Sequence, residues 1–483
     1  MPSFPGQSAT PGEPMETFAD LIECEDVLLF ANAAITSTGQ REFHSAAGEQ
    51  RLSLGFLHDY VHGNYPDLYA ATLALDINEH NAALIIANLL GRKGGAGDAR
   101  LIAWRLGRMS PPRVYRLFER LRREGVNNRR TRALVRDWLA ARPDPALDAV
   151  KYRTAMKSAV RHAHLRLPGE LGDFLFAPFR RTRYDTPVLE AWRRAHYDKA
   201  ALYELPYTVA EGFAARHGIG RAIFLERIAP RLTRLERLRL AESAERDGVR
   251  TEVDLAAMPL VRVASYVLSL AAGVRERRRD ELVAALRAAA ARTAGARAGT
   301  WGDVAAVLDD SFSSFGSPVK RRRPLAVALA CHYLLEALAG SYRDLWLSGR
   351  ADPLQARPTG PTRLGRRILD GLEGRPDMLV IVSDGWDNAP PGLAAEVLRV
   401  WRRKLDPARE VSIVHLNPVY DAEQLEVRRL SPVVPTAGIR DAEDLPALVE
   451  LARFAEGRTG PAELRAYLAD RTADRTADRG VRG

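Results

Sequence analysis

Residues 18 to 297 carry the hydrophobic spacing of amphipathic helices almost without interruption. In the stretch SPPRVYRLFERLRREG the apolar residues fall at positions i, i+3, i+4 and i+7, namely Val114, Leu117, Phe118 and Leu121, and Gly125 ends the pattern. Similar stretches follow one another, separated by short breaks at Gly, Pro and Asn. Successive helical hairpins without a strict sequence period predict an all-α, HEAT-like solenoid that can close into a ring, with a compact helical bundle as the alternative.

After a small, Gly-rich segment at residues 293–302 the pattern changes to alternating strands and helices. The runs DVAAVL, MLVIVS and EVSIVHL have the β-rich composition of short strands. They alternate with the helical stretches PLAVALACHYLLEALAG, RLGRRILDGLE and GLAAEVLRVWRRKL. This alternation predicts a doubly wound, Rossmann-like α/β domain with a parallel sheet.

These patterns divide the chain into four parts. We predict a disordered leader at residues 1–17, the helical region at 18–297, the α/β domain at 302–460 and a flexible tail at 461–483, because the final residues DRTADRTADRGVRG lack an apolar face. No apolar run approaches the roughly 20 residues that span a bilayer. The leader has no apolar core of a signal peptide, so we expect a cytoplasmic protein.

Charge is concentrated within the helical region. Residues 101–200 hold 23 Lys and Arg against 10 Asp and Glu, a net charge of +13, whereas the whole chain carries +10. A basic block that consists mostly of Arg favours an anionic partner such as a nucleic-acid backbone. The alternative is a solvated surface in which a coding bias has replaced Lys by Arg.

Five oxygen-bearing side chains follow the predicted strands of the α/β domain: Asp309, Ser311, Ser313, Thr362 and Asp384. The carboxyl ends of parallel strands share one edge of the sheet, where open α/β sheets bind ligands. Carboxylate and hydroxyl oxygens without His or Cys suit a hard cation, with Mg²⁺ the first choice and Mn²⁺ or Ca²⁺ the alternatives. These residues could instead be N-caps and turn residues that only satisfy backbone N–H groups.

The order Asp-x-Ser-x-Ser, Thr and Asp resembles the metal-ion-dependent adhesion site of a von Willebrand A domain. This domain class typically binds partners, which implies a protein partner docked through the metal. No nucleophile is placed with a base, so we expect no enzyme activity. A nuclease that uses the metal is the least favoured reading, since a single site with two carboxylates is poor in activating groups.

A helical region followed by such a domain resembles the TROVE family, the Ro autoantigen and its bacterial relatives. Three segments carry the resemblance locally: LGRKGGAGDARLIAWRLGR, PTGPTRL and LRVWRRKLDPAREVSIV. Arg363 departs from the family, which often has an acid after the metal-loop Thr. The resemblance implies an RNA-binding ring that holds single-stranded 3′ ends of misfolded RNA, and small structured RNAs of the Y type, in RNA quality control, processing or repair.

The basic block offers its own candidates for RNA contact. The segment FAPFRRTRYDT interleaves aromatic and basic residues that could stack on unpaired bases and contact phosphates: Phe179, Arg180, Arg181, Arg183 and Tyr184. Two basic stripes lie at helical spacing, the first comprising Arg116, Arg120 and Arg123 and the second Lys151, Lys157, Arg161 and His164. In the alternative, the aromatic residues pack inward and the cations are only solvated.

The hypothesis favoured by these patterns is a non-enzymatic, Ro-type RNA-binding protein. The rival is a protein-interaction scaffold in a chaperone-like or bacterial defence complex, with both the helical repeats and the A domain binding proteins. Copurified nucleic acid would separate the two.

Overall fold

A computed structural model describes residues 18–38, 47–92, 98–233, 236, 237, 240, 255–317, 320–419, 428–455 and 461–477. The predicted leader at residues 1–17 lies outside the described residues, and so do residues 478–483 of the predicted tail. Within these ranges no helix is both long and apolar enough to cross a membrane.

Helices fill the first part of the chain, as the spacing of apolar residues predicts. They are α1 Phe18–Thr36, α2 Ala47–Asn64, α3 Pro66–Ala71, α4 Glu79–Gly91, α5 Asp98–Arg108, α6 Pro111–Arg123, α7 Arg129–Ala140, α8 Pro145–Lys151, α9 Arg153–His162, α10 Gly169–Phe176, α11 Pro187–Arg194, α12 Tyr207–Arg216, α13 Arg221–Ile228, α14 Leu260–Ser269, α15 Ala272–Arg277 and α16 Arg279–Ala294. Helix α6 begins at Pro111, and its predicted apolar face is buried. Helix α7 is capped by Asn128, whose side chain accepts the N–H of Thr131 at 2.9 Å.

Helix α6 packs between its neighbours through one face. Tyr115 and Phe118 meet Trp138 of α7 edge to face, with ring centres 5.3 and 5.4 Å apart. Such pairs add about 0.5–1.5 kcal/mol each beyond the burial of their area. The hydroxyl of Ser158 on α9 donates to Glu119 of α6 at 2.8 Å, which joins the two helices. The opposite face of α6 remains open to solvent.

The second part of the chain forms the predicted parallel sheet. Its strands are β1 Asp303–Leu308, β2 Ser341–Trp346, β3 Met378–Val382, β4 Ser412–Asn417 and β5 Thr436–Gly438, in the order β2-β1-β3-β4-β5 with every pairing parallel. The helices of this unit are α17 Arg323–Leu338, α18 Leu364–Leu372, α19 Leu393–Val400 and α20 Leu445–Ala455. Val304 and Ala306 of β1 face one core, and Ala305 and Val307 face the other. The predicted fold class is confirmed.

The strand order places a topological switch point next to β1. The chain passes from β1 to β2 on one side and then returns to β3 on the other. Ligands bind at such points, in the crevice outside the carboxyl ends of the strands. Leu308 at the end of β1 pairs with Val382 at the end of β3, so both loops leave the sheet at the same level.

Both ends of the helical region contact the α/β unit. Asn32 of α1 exchanges two hydrogen bonds with the backbone of Gly438 in β5, each 3.1 Å. At the other end, the N–H of Leu260 in α14 donates to Glu443 at 2.6 Å. Arg275 of α15 is buried and donates to the carbonyl of Leu354 at 2.5 Å. The helical region therefore contacts the α/β unit through both its N-terminal and its C-terminal helices.

The flexible tail predicted for residues 461–483 is wrong for its first part. Residues Pro461–Ala477 form helix α21, which packs on α3 and α5. Leu464 and Leu468 are buried on it. The prediction rested on the charged repeat at the end of the chain. The two leucines precede that repeat, and their i, i+4 spacing places them on one face of a helix.

Candidate metal centre and nucleic-acid interface

The two loops that carry the predicted carboxylates leave adjacent strands. Asp309 directly follows β1, and Asp384 lies two residues beyond the end of β3. The N–H of Asp309 donates to the carbonyl of Val382 at 3.0 Å, which continues the ladder between the strands by one more bond. Both carboxylates are buried and share one small pocket, which Pro324 and Pro418 also line.

The hydroxyl groups of the predicted set form a connected chain. The Oγ atoms of Ser311 and Ser313 lie 3.1 Å apart, and the hydroxyl of Thr362 donates to Ser311 Oγ at 3.0 Å. Thr362 is held by Asn388, whose side-chain oxygen accepts its N–H at 2.9 Å. Three hydroxyls from two separate loops thus converge on one point.

The carboxylates are positioned by short polar contacts. Asp309 accepts the N–H of Ser311 at 2.8 Å and the hydroxyl of Ser383 at 2.7 Å. Asp384 accepts the N–H of Trp386 at 3.0 Å. Burial, and then the negative charge of Asp384, raise the pKa of Asp309 to about 6. The two carboxylates repel each other in this buried pocket, and a divalent cation bound between them would reduce that repulsion.

The donor set fits a hard cation. It consists of two carboxylates and three hydroxyls, all oxygen, and such donors suit Mg²⁺, Mn²⁺ or Ca²⁺. In the part of the chain that the structure describes, no group of three or more His, Cys, Asp or Glu side chains could hold a metal, so the set here relies on its hydroxyls as well as its two carboxylates. Ser311 occupies an N-cap position, yet its side chain makes no capping bond. The hydroxyl of Ser311 instead contacts the hydroxyls of Ser313 and Thr362.

Asp310, the acidic residue next to Asp309, contacts the segment after β2 and not the hydroxyl cluster. Its carboxylate accepts the N–H and the hydroxyl of Ser348, at 2.9 and 2.6 Å. Arg350 lies 3.9 Å away. Asp310 therefore ties the metal loop to the end of β2 and does not add a ligand.

Large aromatic side chains surround the metal loops. Phe312 is 74% exposed and Trp386 is 55% exposed. The guanidinium of Arg428 lies 3.5 Å from the ring centre of Trp386. Neither aromatic residue was among the predicted site residues, although Phe312 lies inside the Asp-x-Ser-x-Ser motif and Trp386 lies two residues after Asp384.

The first basic stripe lies on the open face of α6. Arg116 and Arg123 are exposed. Arg120 is half-buried and donates to Glu124 at 2.6 Å, so its charge is balanced locally. Arg116 and Arg123 therefore remain the stronger candidates of this stripe.

The second stripe lies on α8 and α9, beside the first. Lys157 is half-buried and Arg161 is exposed. The ring of His164 lies 3.2 Å from the side-chain nitrogen of Asn127, which follows α6. The stripes thus meet at the C-terminal ends of α6 and α9. Lys151 ends α8 and is half-buried.

The aromatic and basic loop at residues 177–186 is only partly available. Phe179, Arg180 and Arg183 are exposed. Arg181 instead pairs with Asp173 at 2.6 Å. The predicted stacking role of Tyr184 is wrong. Tyr184 is buried and its hydroxyl donates to the carbonyl of Pro178 at 2.7 Å, so its ring cannot stack on a base.

One exposed aromatic residue of this surface was missed. Phe176, the last residue of α10, is 39% exposed, and the cationic groups of Lys157 and Arg161 lie 5.6 and 5.5 Å from its ring centre. In the sequence GELGDFLFAP, Phe176 has the same apolar character as the buried residues Phe174 and Leu175. Only its contact with the basic stripe, which the structure shows, distinguishes it from them.

Comparison with known proteins identifies the fold. No protein-family model and no curated protein matches the chain. Among solved structures, the chain is similar to the crystal structure of the Ro (RSR) protein of Deinococcus radiodurans, with 16% identity and a TM-score of 0.55, over 90% of this chain and 100% of that chain. The predicted resemblance to bacterial Ro proteins is confirmed at the level of fold, with a helical region followed by a von Willebrand A-like domain.

Proposed function

We propose that this protein binds RNA in the cytoplasm, in the manner that its Ro-type fold implies. Its ligands would be small structured RNAs and the single-stranded ends of misfolded RNAs, in quality control, processing or repair. The observation that carries the proposal is the +13 net charge of residues 101–200 on a chain with the Ro fold. Such a charge excess supplies the phosphate contacts on which RNA affinity depends.

The cations of α6 and α9 support this proposal because several of them form no close ion pair in the described part of the chain. No ion pair within 4 Å is recorded for Arg116, Arg123 or Arg161 among the residues whose placement is described. Cations that already hold a carboxylate, such as Arg181, would have to give it up before they could bind phosphate. The unpaired cations are therefore the first positions to test.

The test is a gel shift with a small structured RNA and a single-stranded oligoribonucleotide across a salt titration. The variant Arg116→Gln/Arg123→Gln should weaken binding of both RNAs and reduce the slope of log K against log salt by about 1 for each lost phosphate contact. The matched control, Arg403→Gln/Lys404→Gln, removes two exposed charges from the α/β unit and should change neither value. Absence of binding at low salt, or equal loss in both variants, contradicts the proposal.

We further propose that the metal loops hold Mg²⁺, with Asp309, Ser311, Ser313, Thr362 and Asp384 as direct or water-mediated ligands. When bound, the ion would offer an open position to an anionic group of a partner. The chain's own residues would position the ion and exclude water around it, and none of them is assigned a catalytic step. The convergence of three hydroxyls beside two buried carboxylates is the supporting observation.

Metal binding is tested by the effect of Mg²⁺ on thermal unfolding. A ligand that binds only the folded state stabilises it by about 2.7 kcal/mol at 100 times its dissociation constant. This gain should vanish in Thr362→Val and Asp384→Asn. It should persist in Asp370→Asn, which removes a surface carboxylate paired with Arg367. If Mg²⁺ still stabilises Thr362→Val and Asp384→Asn, the ion binds at a site other than these loops.

A second candidate function, a protein-interaction scaffold, is favoured by the exposed aromatic residues at the metal loops. Phe312, Phe315 and Trp386 are all exposed there. Protein interfaces are enriched in aromatic residues and Arg at their centres. Purified protein free of nucleic acid, with a partner retained only in the presence of Mg²⁺ and released by Trp386→Ala, would favour this function over the first.

A further inference from the structure

Phe176 lies beside two cations, Lys157 and Arg161, and neither forms an ion pair within 4 Å among the residues whose placement is described. Its ring centre is 5.6 Å from Lys157 Nζ and 5.5 Å from the guanidinium of Arg161. The carboxylates nearby are already engaged. Glu119 pairs with Arg122 at 2.5 Å and accepts from Ser158, and Asp173 pairs with Arg181.

The backbone beneath Phe176 is held firmly. Arg153 donates to the carbonyl of Phe174 at 3.1 Å and to the carbonyl of Leu175 at 2.9 Å. The N–H of Ala177 donates to the carbonyl of Asp173 at 2.7 Å. These bonds hold the backbone on both sides of Phe176 in place, while the ring of Phe176 remains partly open to solvent. A preorganised surface of this kind gives up little entropy when a ligand binds.

A second exposed ring follows three residues later. Phe179 is 54% exposed, and it rests against His196 and Trp192, with ring centres 5.1 and 5.9 Å away. Since consecutive Cα atoms are 3.8 Å apart, the Cα atoms of Phe176 and Phe179 lie within about 11 Å.

We propose that Phe176, with Lys157 and Arg161 beside it, stacks on an unpaired base of RNA while the two cations contact the flanking phosphates. This inference rests on the proposed function and specifies its ligand as single-stranded RNA at this surface. Aromatic rings interleaved with cations are the means by which proteins bind single strands, because every base has a face that can stack. A base inside a duplex has both faces covered, so a duplex gains nothing from Phe176.

The experiment compares single-stranded and duplex RNA of equal length at fixed salt. Phe176→Ala should weaken binding of the single strand about 5- to 150-fold, the range that corresponds to one lost stacking contact, and should leave duplex binding unchanged. Phe176→Trp should retain full affinity. Circular dichroism and urea unfolding confirm that the variants fold.

The matched control is Phe56→Ala, which removes another exposed phenylalanine from α2. If Phe176→Ala and Phe56→Ala bind the single strand equally well, the inference is wrong while the proposed function stands. If the wild-type protein binds no RNA, the proposed function itself fails. If Phe176→Ala instead loses affinity for a polyglutamate peptide and keeps its affinity for RNA, the surface belongs to an acidic protein and the inference is overturned.

Discussion

Removing the buried side chain of Leu468 should release the C-terminal helix from the rest of the protein. Leu468 and Leu464 are the residues by which α21 packs on the N-terminal helices, and Leu468 is only 1% exposed. Arg475 supports the same docking, since it lies 3.5 Å from Asp76 and its guanidinium is 5.3 Å from the ring centre of Trp104. The hydroxyl of Tyr467 donates to Glu450 of α20 at 2.8 Å and so joins α21 to the α/β unit as well.

The expected magnitude follows from the buried carbon atoms. Leu468→Ala removes roughly three methylene-sized groups at about 0.8 kcal/mol each, so the transfer loss is about 2.4 kcal/mol. A residual cavity raises the loss within the range of about 2.7–5 kcal/mol that Leu→Ala changes show in cores. A loss of about 2.4 kcal/mol corresponds to roughly 60-fold more frequent opening.

Hydrogen-exchange mass spectrometry of peptides that cover residues 461–477 measures this opening directly. The control is Leu405→Ala, since Leu405 is exposed on the α/β unit. We expect exchange in α21 to accelerate at least about 60-fold in Leu468→Ala and to stay at the wild-type rate in Leu405→Ala. Equal exchange rates in the two variants would show that α21 is not docked and that the reasoning from burial is wrong.

Two further predictions concern pH and the contact between the two units. Burial lowers the pKa of His58 to about 4, below the value near 6.5 of an unfolded chain, so its contribution to stability is present above pH 6.5 and is lost as the pH falls towards 4. Urea unfolding between pH 7 and pH 4.5 should therefore show a loss of stability, up to about 3 kcal/mol from this group, that His58→Gln reduces. Arg275→Leu leaves the carbonyls of Leu354 and Ala356 without their donor and should lower the free energy of unfolding by about 1–3 kcal/mol, whereas Arg277→Leu, at an exposed neighbour, should have no effect.

The main strands of the sheet could be predicted because they are buried on both faces. β3 is a continuous apolar run, β1 is apolar after Asp303, and β4 carries the apolar residues Ile413, Val414 and Leu416, which is close to the pattern of central parallel strands. β2 was missed because it is an edge strand whose residues include Arg343 and Asp344, and it follows a helix after a short connection. β5 has only three residues, too few for any periodicity to appear.

The metal set could be predicted because strand order alone brings its members together. The carboxyl ends of β1 and β3 are neighbours in any sheet of this type. Asp309 and Asp384, which follow these ends, are therefore expected to lie close to each other. The role of Asp310 could not be predicted, since its partner Ser348 follows the strand that was missed.

The proposed nucleic-acid surface could be predicted less well because sequence does not tell which way a loop side chain points. Phe179 and Tyr184 belong to one short segment, yet the first is exposed and the second is buried. Arg180 and Arg181 are adjacent, yet only Arg181 has an ion pair in the described structure. Phe176 has the apolar character of a core residue, and its cationic neighbours come from another helix.

The contact between α1 and β5 also determines when the protein can complete its fold. Asn32 and Gly438 are separated by 406 positions, so the ribosome finishes the first helix long before it makes that helix's partner in the sheet. At about 5–20 residues per second this interval is roughly 20–80 s. Throughout it, α1 lacks the part of its final surroundings that β5, α20 and α21 supply. Newly made chains would therefore depend on chaperones for longer than a protein built from local contacts, and truncated translation products would leave α1 without this anchor.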